Sequence, residues 1–149
     1  MPSIISEIKT YLKTKSAVTD LIGSGTAARI YLYAAKEGVA LPYVIVDMIP
    51  GDSHEHLGGI SGVARNRVVI DAYAATESAA YTLAEVIRLI LQPIGRDGTR
   101  PTLGSTVVHG IASDGSYEAD FEPPVKGGAQ KRYYYSRDYF VSYAESVSA

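Results

Sequence analysis

The sequence predicts an α+β fold, in which helices pack mostly on one face of a mainly antiparallel sheet. Apolar residues recur at helical spacing in three segments, and other segments show strand-like alternation or β-rich composition. The predicted order is two helices, three strands, one helix and three strands, which fits helices gathered on one side of a sheet. The chain has 149 residues and shows no internal repeat or boundary, so residues 1–149 are predicted to form one domain.

Three helices are predicted. The first follows Ser3 as its N-cap and is marked by apolar residues at helical spacing: Ile4, Ile5, Ile8, Tyr11 and Leu12. The second is expected to begin at Ser16 as its N-cap and to stop at Gly23-Ser24-Gly25. The third follows Thr76 as its N-cap, has Glu77 at the positive end of the helix dipole, and ends before Pro93. Its apolar face is formed by Ala80, Leu83, Ala84, Ile87, Ile90 and Leu91.

Strands are predicted over residues 29–33, 42–49, 65–73 and 132–143. Residues 42–49 are apolar on both faces apart from Asp47, so this strand is expected to be covered on both sides. Residues 65–73 alternate, as a half-buried strand does. Along the last strand one face carries Tyr133, Tyr135, Tyr139, Val141 and Tyr143, interrupted by Arg137.

Three irregular stretches are predicted as loops, at residues 50–62, 95–104 and 122–130, because Gly and Pro concentrate there without apolar periodicity. The first is long enough to suggest a function. Residues 106–112 and 117–121 are predicted to pair as an antiparallel hairpin. Asp114-Gly115 between them is typical of a two-residue turn.

Composition excludes several classes of function. The absence of cysteine excludes disulfides, thiolate metal sites and cysteine nucleophiles. The net charge is -2 and the basic residues are scattered, so no sequence-specific nucleic-acid binding is expected. No secretory signal or membrane span is visible, which predicts synthesis in the cytoplasm. The twelve tyrosines suit strand surfaces, and less often protein interfaces.

Catalytic signals are weak. His54-Glu55-His56 could place two imidazoles on one side of an extended segment, but two ligands leave a metal site half built, and His109 lies in a distant strand. The glycine-rich stretches lack the Lys-Ser/Thr of a phosphate loop, and no Gly-x-Ser-x-Gly motif occurs. Asp120 and Glu122 share one face at a strand end, where solvated carboxylates are the simpler interpretation. No catalytic, cofactor or metal residue is therefore assigned.

The order of segments along the chain resembles a known family. Residues 17–23 (Ala-Val-Thr-Asp-Leu-Ile-Gly), 29–31 (Arg-Ile-Tyr) and 38–46, with Leu-Pro-Tyr-Val at their centre, follow a short amphipathic helix. His56-Leu57-Gly58-Gly59 then leads through residues 61–65 into Val-Val-Ile-Asp-Ala-Tyr-Ala at 68–74, a long helix and a final Tyr-Ser-Arg-Asp-Tyr-Phe-Val strand. From about residue 4 to residue 143, this arrangement is similar to the tail completion (tail terminator-like) proteins of long-tailed bacteriophages.

The resemblance implies a non-enzymatic structural protein of the virion. It implies a small α+β subunit that forms a homo-oligomeric ring, expected to be a hexamer, at the head-proximal end of the tail. Its implied partners are other copies of itself, the tail tube protein and the head-tail connector or stopper protein, with DNA passing through the lumen. The residues expected at subunit or partner interfaces belong to the first loop, the strand after it and the terminal strand: His54, Glu55, His56, Leu57, Arg65, Arg67, Tyr133, Tyr135 and Arg137.

Two alternatives remain open from the sequence. One is another neck or head-completion protein of a tailed phage, since such subunits share size and composition. The other is a small metal-dependent enzyme that uses His54 and His56.

Overall fold

The computed structural model of the chain describes residues 4–35, 38–49, 53–56, 59–94, 102–103, 106–122 and 132–144. Within them, seven strands form the sheet: β1 (Ile30–Leu32), β2 (Tyr43–Ile49), β3 (Ser53–His56), β4 (Gly59–Ala74), β5 (Thr102–Leu103), β6 (Thr106–Glu122) and β7 (Arg132–Ala144). The strand order is β1-β2-β4-β7-β6-β5, and β3 pairs with β4. β1 and β2 are parallel, whereas all other pairs are antiparallel.

Three α-helices pack on this sheet: α1 (Ile4–Lys13), α2 (Ser16–Ile22) and α3 (Glu77–Leu91). Their buried side chains form one core cluster with alternate residues of the strands, including Val44, Val46, Val68, Ile70 and Val141. Because alternate residues of a strand point to opposite faces, the helices lie on one side of the sheet. The predicted α+β class is confirmed.

The core is built from the predicted apolar faces. In α3, Ala80, Leu83, Ala84, Ile87 and Leu91 are buried, and the Ala79 amide donates to Thr76 Oγ1 at 3.1 Å, so the predicted N-cap is confirmed. Each buried Leu or Ile stabilises the fold by roughly 1.5–3 kcal/mol. Tyr139 of β7 is only 1% exposed, and this burial raises the pKa of its hydroxyl.

The start of α2 differs from the prediction. Lys15 occupies the N-cap position in an extended conformation, without a side-chain cap, and Ser16 is already helical. The amides of Val18 and Thr19 bond to the Lys15 carbonyl. The amides of Thr14 and Lys15 donate to the carbonyls of Tyr11 and Leu12 near the end of α1. This turn determines where α2 begins. Gly23 ends the helix with φ of 90°, as predicted. Ser3, the predicted cap of α1, lies outside the described residues.

β2 is covered on one face more fully than on the other. Val44 and Val46 are fully buried under the helices, and Tyr43 on the opposite face is 3% exposed. Exposure increases along that opposite face until Ile49 is 46% exposed. The predicted burial on both sides therefore applies to the beginning of β2 and fails at its end, where the described residues provide no second layer.

Residues 50–62 were expected to be a loop, and the structure corrects this. Ser53–His56 form β3, and β4 begins at Gly59 instead of near residue 65. The two pair antiparallel, with Glu55 opposite Ile60 and His56 opposite Gly59. Backbone ladder bonds need no apolar periodicity, so a polar and glycine-rich hairpin carries little sequence signal.

The hairpin expected within residues 106–121 is also wrong. β6 runs without a reversal from Thr106 to Glu122, and both predicted segments pair with β7. Ser113 faces Tyr139 and Tyr117 faces Arg137, so β6 has more residues than β7 over this interval. Asp114-Gly115 therefore lies in a bulge of β6 instead of in a turn.

The two remaining irregular stretches are described only in part. In the first, residues 102–103 form β5, which pairs with the beginning of β6, and residues 95–101 and 104 lie outside the described residues. In the second, Glu122 is the last residue of β6, and residues 123–130 lie outside the described residues.

Candidate assembly surface

The face of the sheet opposite the helices is called the open face here. It presents the other set of alternating residues, such as Ile45 and Asp47 of β2, Val69 and Asp71 of β4, and Ser136 of β7. These residues are only partly buried, and no described helix packs on them. A sheet surface of this size, with aromatic and charged groups, is a candidate for contact with other proteins.

A row of tyrosines crosses one end of the open face. Tyr43, Tyr73 and Tyr134 are direct cross-strand neighbours on β2, β4 and β7, and Tyr31 of β1 continues the row. The ring centroids of Tyr43 and Tyr73 are 4.8 Å apart and nearly parallel, and those of Tyr73 and Tyr134 are 5.4 Å apart. Tyr31 meets Tyr43 edge-on at 6.4 Å. Cross-strand aromatic pairs stabilise a sheet, so this row holds four strands together.

Arg132 connects the tyrosine row to the last strand. Its Nη1 donates to the Tyr43 hydroxyl at 3.0 Å, although the two residues are distant in sequence. This charge-assisted bond fixes the hydroxyl of the most buried ring of the row.

The other end of the open face carries an arginine corner, which consists of Arg65, Arg67, Asp138 and Phe140. Arg67 Nε donates to Asp138 Oδ2 at 2.6 Å, and a second guanidinium nitrogen of Arg67 also donates to this oxygen. The Arg65 guanidinium lies 4.5 Å from the centre of the Phe140 ring. Both arginines are exposed, and Asp138 balances the charge of Arg67, so the net positive charge of the corner is that of Arg65 above the Phe140 ring.

A two-stranded arm extends from the sheet beside this corner. The arm consists of β3 and residues 59–64 of β4. β7 pairs with β4 only from Val63 onward, and β2 only from Arg67 onward. Among the described residues, β3 and residues 59–62 of β4 therefore pair only with each other. Isolated two-stranded hairpins are marginally stable in water, so contact with another molecule would stabilise such an arm.

The helix-covered face of β7 is occupied by contacts within the subunit. Tyr135 packs edge-on against Tyr81 of α3, with ring centroids 5.4 Å apart. Arg137 donates to Glu85 Oε1 at 3.0 Å, and Arg88 donates to both oxygens of the same carboxylate. The hydrogen bonds from Arg88, aided by the charges of both arginines, lower the pKa of Glu85.

The structure separates the predicted interface residues into two groups. Arg65 and Arg67 lie in the arginine corner on the open face, next to the arm, whose β3 strand carries His54, Glu55 and His56. Leu57 lies outside the described residues. Tyr133, Tyr135 and Arg137 lie at the alternate positions of β7, on the face that α3 covers. The role of both groups in interfaces stays a prediction.

The tyrosine row and Asp138 were missed by sequence reasoning. The alternation within β2, β4 and β7 shows which residues share a face, but only the pairing register aligns Tyr43 with Tyr73 and Tyr134. A search for tyrosines at matching distances from the strand ends could have suggested the row.

Among the described residues, no group of three or more His, Asp or Glu side chains could hold a metal ion. No helix among these residues has the length and apolar character needed to cross a bilayer.

Comparisons with known proteins give a matching family and solved structures of similar fold. Residues 6–106 match the family described as "Tail completion protein gp17". The fold is similar to that of a chain in the structure titled "Virion of native gene transfer agent (GTA) particle", with a TM-score of 0.63 and 14% sequence identity over 95% of each chain. No curated protein sequence matches the chain.

Proposed function

We propose that this chain, which belongs to the tail completion protein gp17 family and is a structural protein of a phage tail, assembles into a ring. The ring is expected to be a hexamer and to close the head-proximal end of the tail tube. The single observation that carries this proposal is the family match over residues 6–106, which spans most of α1, the other two α-helices, β1 to β5 and the first residue of β6. As a tail component, the protein has its place in the virion.

The geometry of the subunit supports self-assembly. A closed cyclic ring uses two different patches on each copy, which meet head to tail. The arm beside the arginine corner is one projecting patch, and the open face with its tyrosine row is a broad receiving one. Fold similarity to a chain from a gene transfer agent virion is consistent with use inside a particle.

The proposed ring has two rims with different partners. One rim would bind the tail tube protein and stop its polymerisation, and the other would bind the connector or stopper protein of the head. DNA would pass through the lumen without sequence-specific contacts, since the net charge is -2 and no basic stripe occurs along the chain. The proposal assigns no catalytic step to any residue.

Native mass spectrometry of the purified protein, alone and mixed with the tail tube protein, tests the proposal. The expected result is a ring of defined copy number in at least one condition, and capped tubes of limited length by electron microscopy. A protein that stays monomeric in both conditions and leaves tube growth unchanged would overturn the proposal. Binding to the head connector without any effect on the tube would favour the alternative neck or head-completion role.

A further inference from the structure

The arm leaves the sheet at a junction where β4 changes its neighbour on one side. β2 pairs with β4 from Arg67 onward, and β3 pairs with β4 up to Ala64. Among the described residues, no strand pairs with Arg65 or Asn66 on that side, so β7 alone holds β4 there. Residues 65–67 are called the junction here. A strand held by one neighbour has fewer hydrogen bonds to fix it than a strand held by two, so the contacts between the junction and β7 control how firmly the arm is held.

Two side chains of the junction contact β7 on the open face. Arg65 pairs with Ser142, but its guanidinium lies 4.5 Å from the centre of the Phe140 ring. Arg67 pairs with Phe140, and its Nε donates to Asp138 Oδ2 at 2.6 Å. Both contacts are diagonal cross-strand contacts, which long side chains can make. Both arginine side chains reach from the base of the arm toward the body of the sheet.

The third side chain of the junction contacts β7 on the face that the helices cover. Asn66 pairs with Val141 and shares its face with Val68, which is fully buried in the core. The Asn66 Nδ2 donates to the Tyr143 hydroxyl at 2.6 Å, and this bond is partly buried. Tyr143 pairs with Ala64 of the arm and packs against the core. This diagonal contact is therefore inclined the other way, from the arm end of β7 back to the junction.

We propose that the Asn66–Tyr143 bond and the two arginine contacts form a clamp on β4 that fixes the direction in which the arm leaves the sheet. The clamp holds one strand on both of its faces, with diagonal contacts of opposite inclination. The clamp is a property of the single chain. A pre-ordered arm loses less conformational freedom when another chain contacts it, so the clamp favours assembly, and this role rests on the proposed ring.

Amide hydrogen exchange of the dilute protein tests the clamp. Tyr143→Phe removes only the hydroxyl that accepts from Asn66. The amides of residues 53–64 should then exchange about threefold to tenfold faster, as the loss of one partly buried hydrogen bond would predict. Amides of β2, and of β4 beyond residue 67, should keep their rates. Tyr135→Phe is the matched control, because Tyr135 lies on the same face of β7 but beside α3, and it should leave the exchange of the arm unchanged.

A double-variant cycle shows whether the bond itself is responsible. Asn66→Ala should also speed the exchange of the arm. The variant that carries both Asn66→Ala and Tyr143→Phe should exchange no faster than Asn66→Ala alone, because the same bond can be lost only once.

Native mass spectrometry over a dilution series measures the role of the clamp in assembly. Tyr143→Phe is expected to raise the protein concentration needed for rings about threefold to tenfold, because the arm must then be ordered during assembly. Faster exchange of the arm without any change in this concentration would overturn the role in assembly.

The outcomes separate the clamp from the ring. Unchanged exchange of the arm in Tyr143→Phe, additive increases in the double variant, or equal acceleration in every strand would overturn the clamp and leave the proposed function standing. Faster exchange confined to the arm, in a chain that never forms rings, would support the clamp and overturn the ring.

Discussion

At the scale of single residues, Glu85 joins α3 to β7. Its carboxylate accepts hydrogen bonds from Arg88 on its own helix and from Arg137 on the strand, and all three side chains are at least partly buried. An isolated surface pair would contribute little, but this group bridges two elements and leaves a half-buried guanidinium behind when the carboxylate is removed.

Glu85→Gln is expected to lower the free energy of unfolding by about 1–2 kcal/mol at neutral pH. The pKa of Glu85 is lowered by folding, so its contribution is complete above the ordinary value of 4.5 and is lost as the pH falls through the folded value. The difference between the wild type and the variant should therefore shrink in acid. Urea unfolding at neutral and acidic pH measures it, with Asp20→Asn on the exposed side of α2 as control. A difference independent of pH would contradict this role.

Tyr73 occupies the middle of the tyrosine row. Tyr73→Leu removes contacts with the rings of Tyr43 and Tyr134 and is expected to lower the free energy of unfolding by about 1–3 kcal/mol. Tyr73→Phe keeps the ring and should cost clearly less. Thermal and chemical unfolding of the two variants gives the comparison, and equal losses would show that the hydroxyl, not ring stacking, is what matters.

At the scale of elements, local patterns identified α1, α3, β2, β7 and most of β4, because each has an apolar face whose period matches its geometry. The arm was missed because its pairing is made by the backbone of polar and glycine-rich residues. The hairpin predicted at Asp114-Gly115 was wrong for a different reason. Turn propensity is a local preference, and the backbone hydrogen bonds that β6 makes with β7 along its length outweigh it.

The candidate surface was predictable only in part. Arg65 and Arg67 were expected at an interface, and they lie beside the arm that contains His54, Glu55 and His56. Their relation to Asp138 and Phe140 depends on register between strands far apart in sequence, which a single sequence does not contain. For the same reason, the sequence did not show that Arg137 faces α3.

The arm should be separable from the rest of the fold. Replacing residues 52–63 with a short Gly-Ser linker is expected to leave the circular dichroism spectrum and the melting temperature of the monomer nearly unchanged, because β4 pairs with both β2 and β7 beyond the arm. Ring assembly should be abolished. A control variant keeps the chain length by replacing residues 53–62 with the same number of Gly and Ser residues. It separates the loss of the arm from a change in loop length. Rings that form without the arm would exclude it from the interface.

At the scale of the whole molecule, the subunit combines a core on one side of the sheet with an arm and with an open face on which no described helix packs. The proposed assembly would cover part of these surfaces. Because only the folded chain can present these surfaces, the proposed assembly would stabilise the folded state by mass action.

This coupling predicts that the apparent melting temperature depends on protein concentration. A tenfold increase in concentration is expected to raise it by a few degrees, since each copy adds binding free energy to the folded state only. The variant without the arm should melt at one temperature at all concentrations. Scanning calorimetry over a dilution series measures this dependence. A wild-type transition that does not move with concentration would contradict the proposed self-assembly.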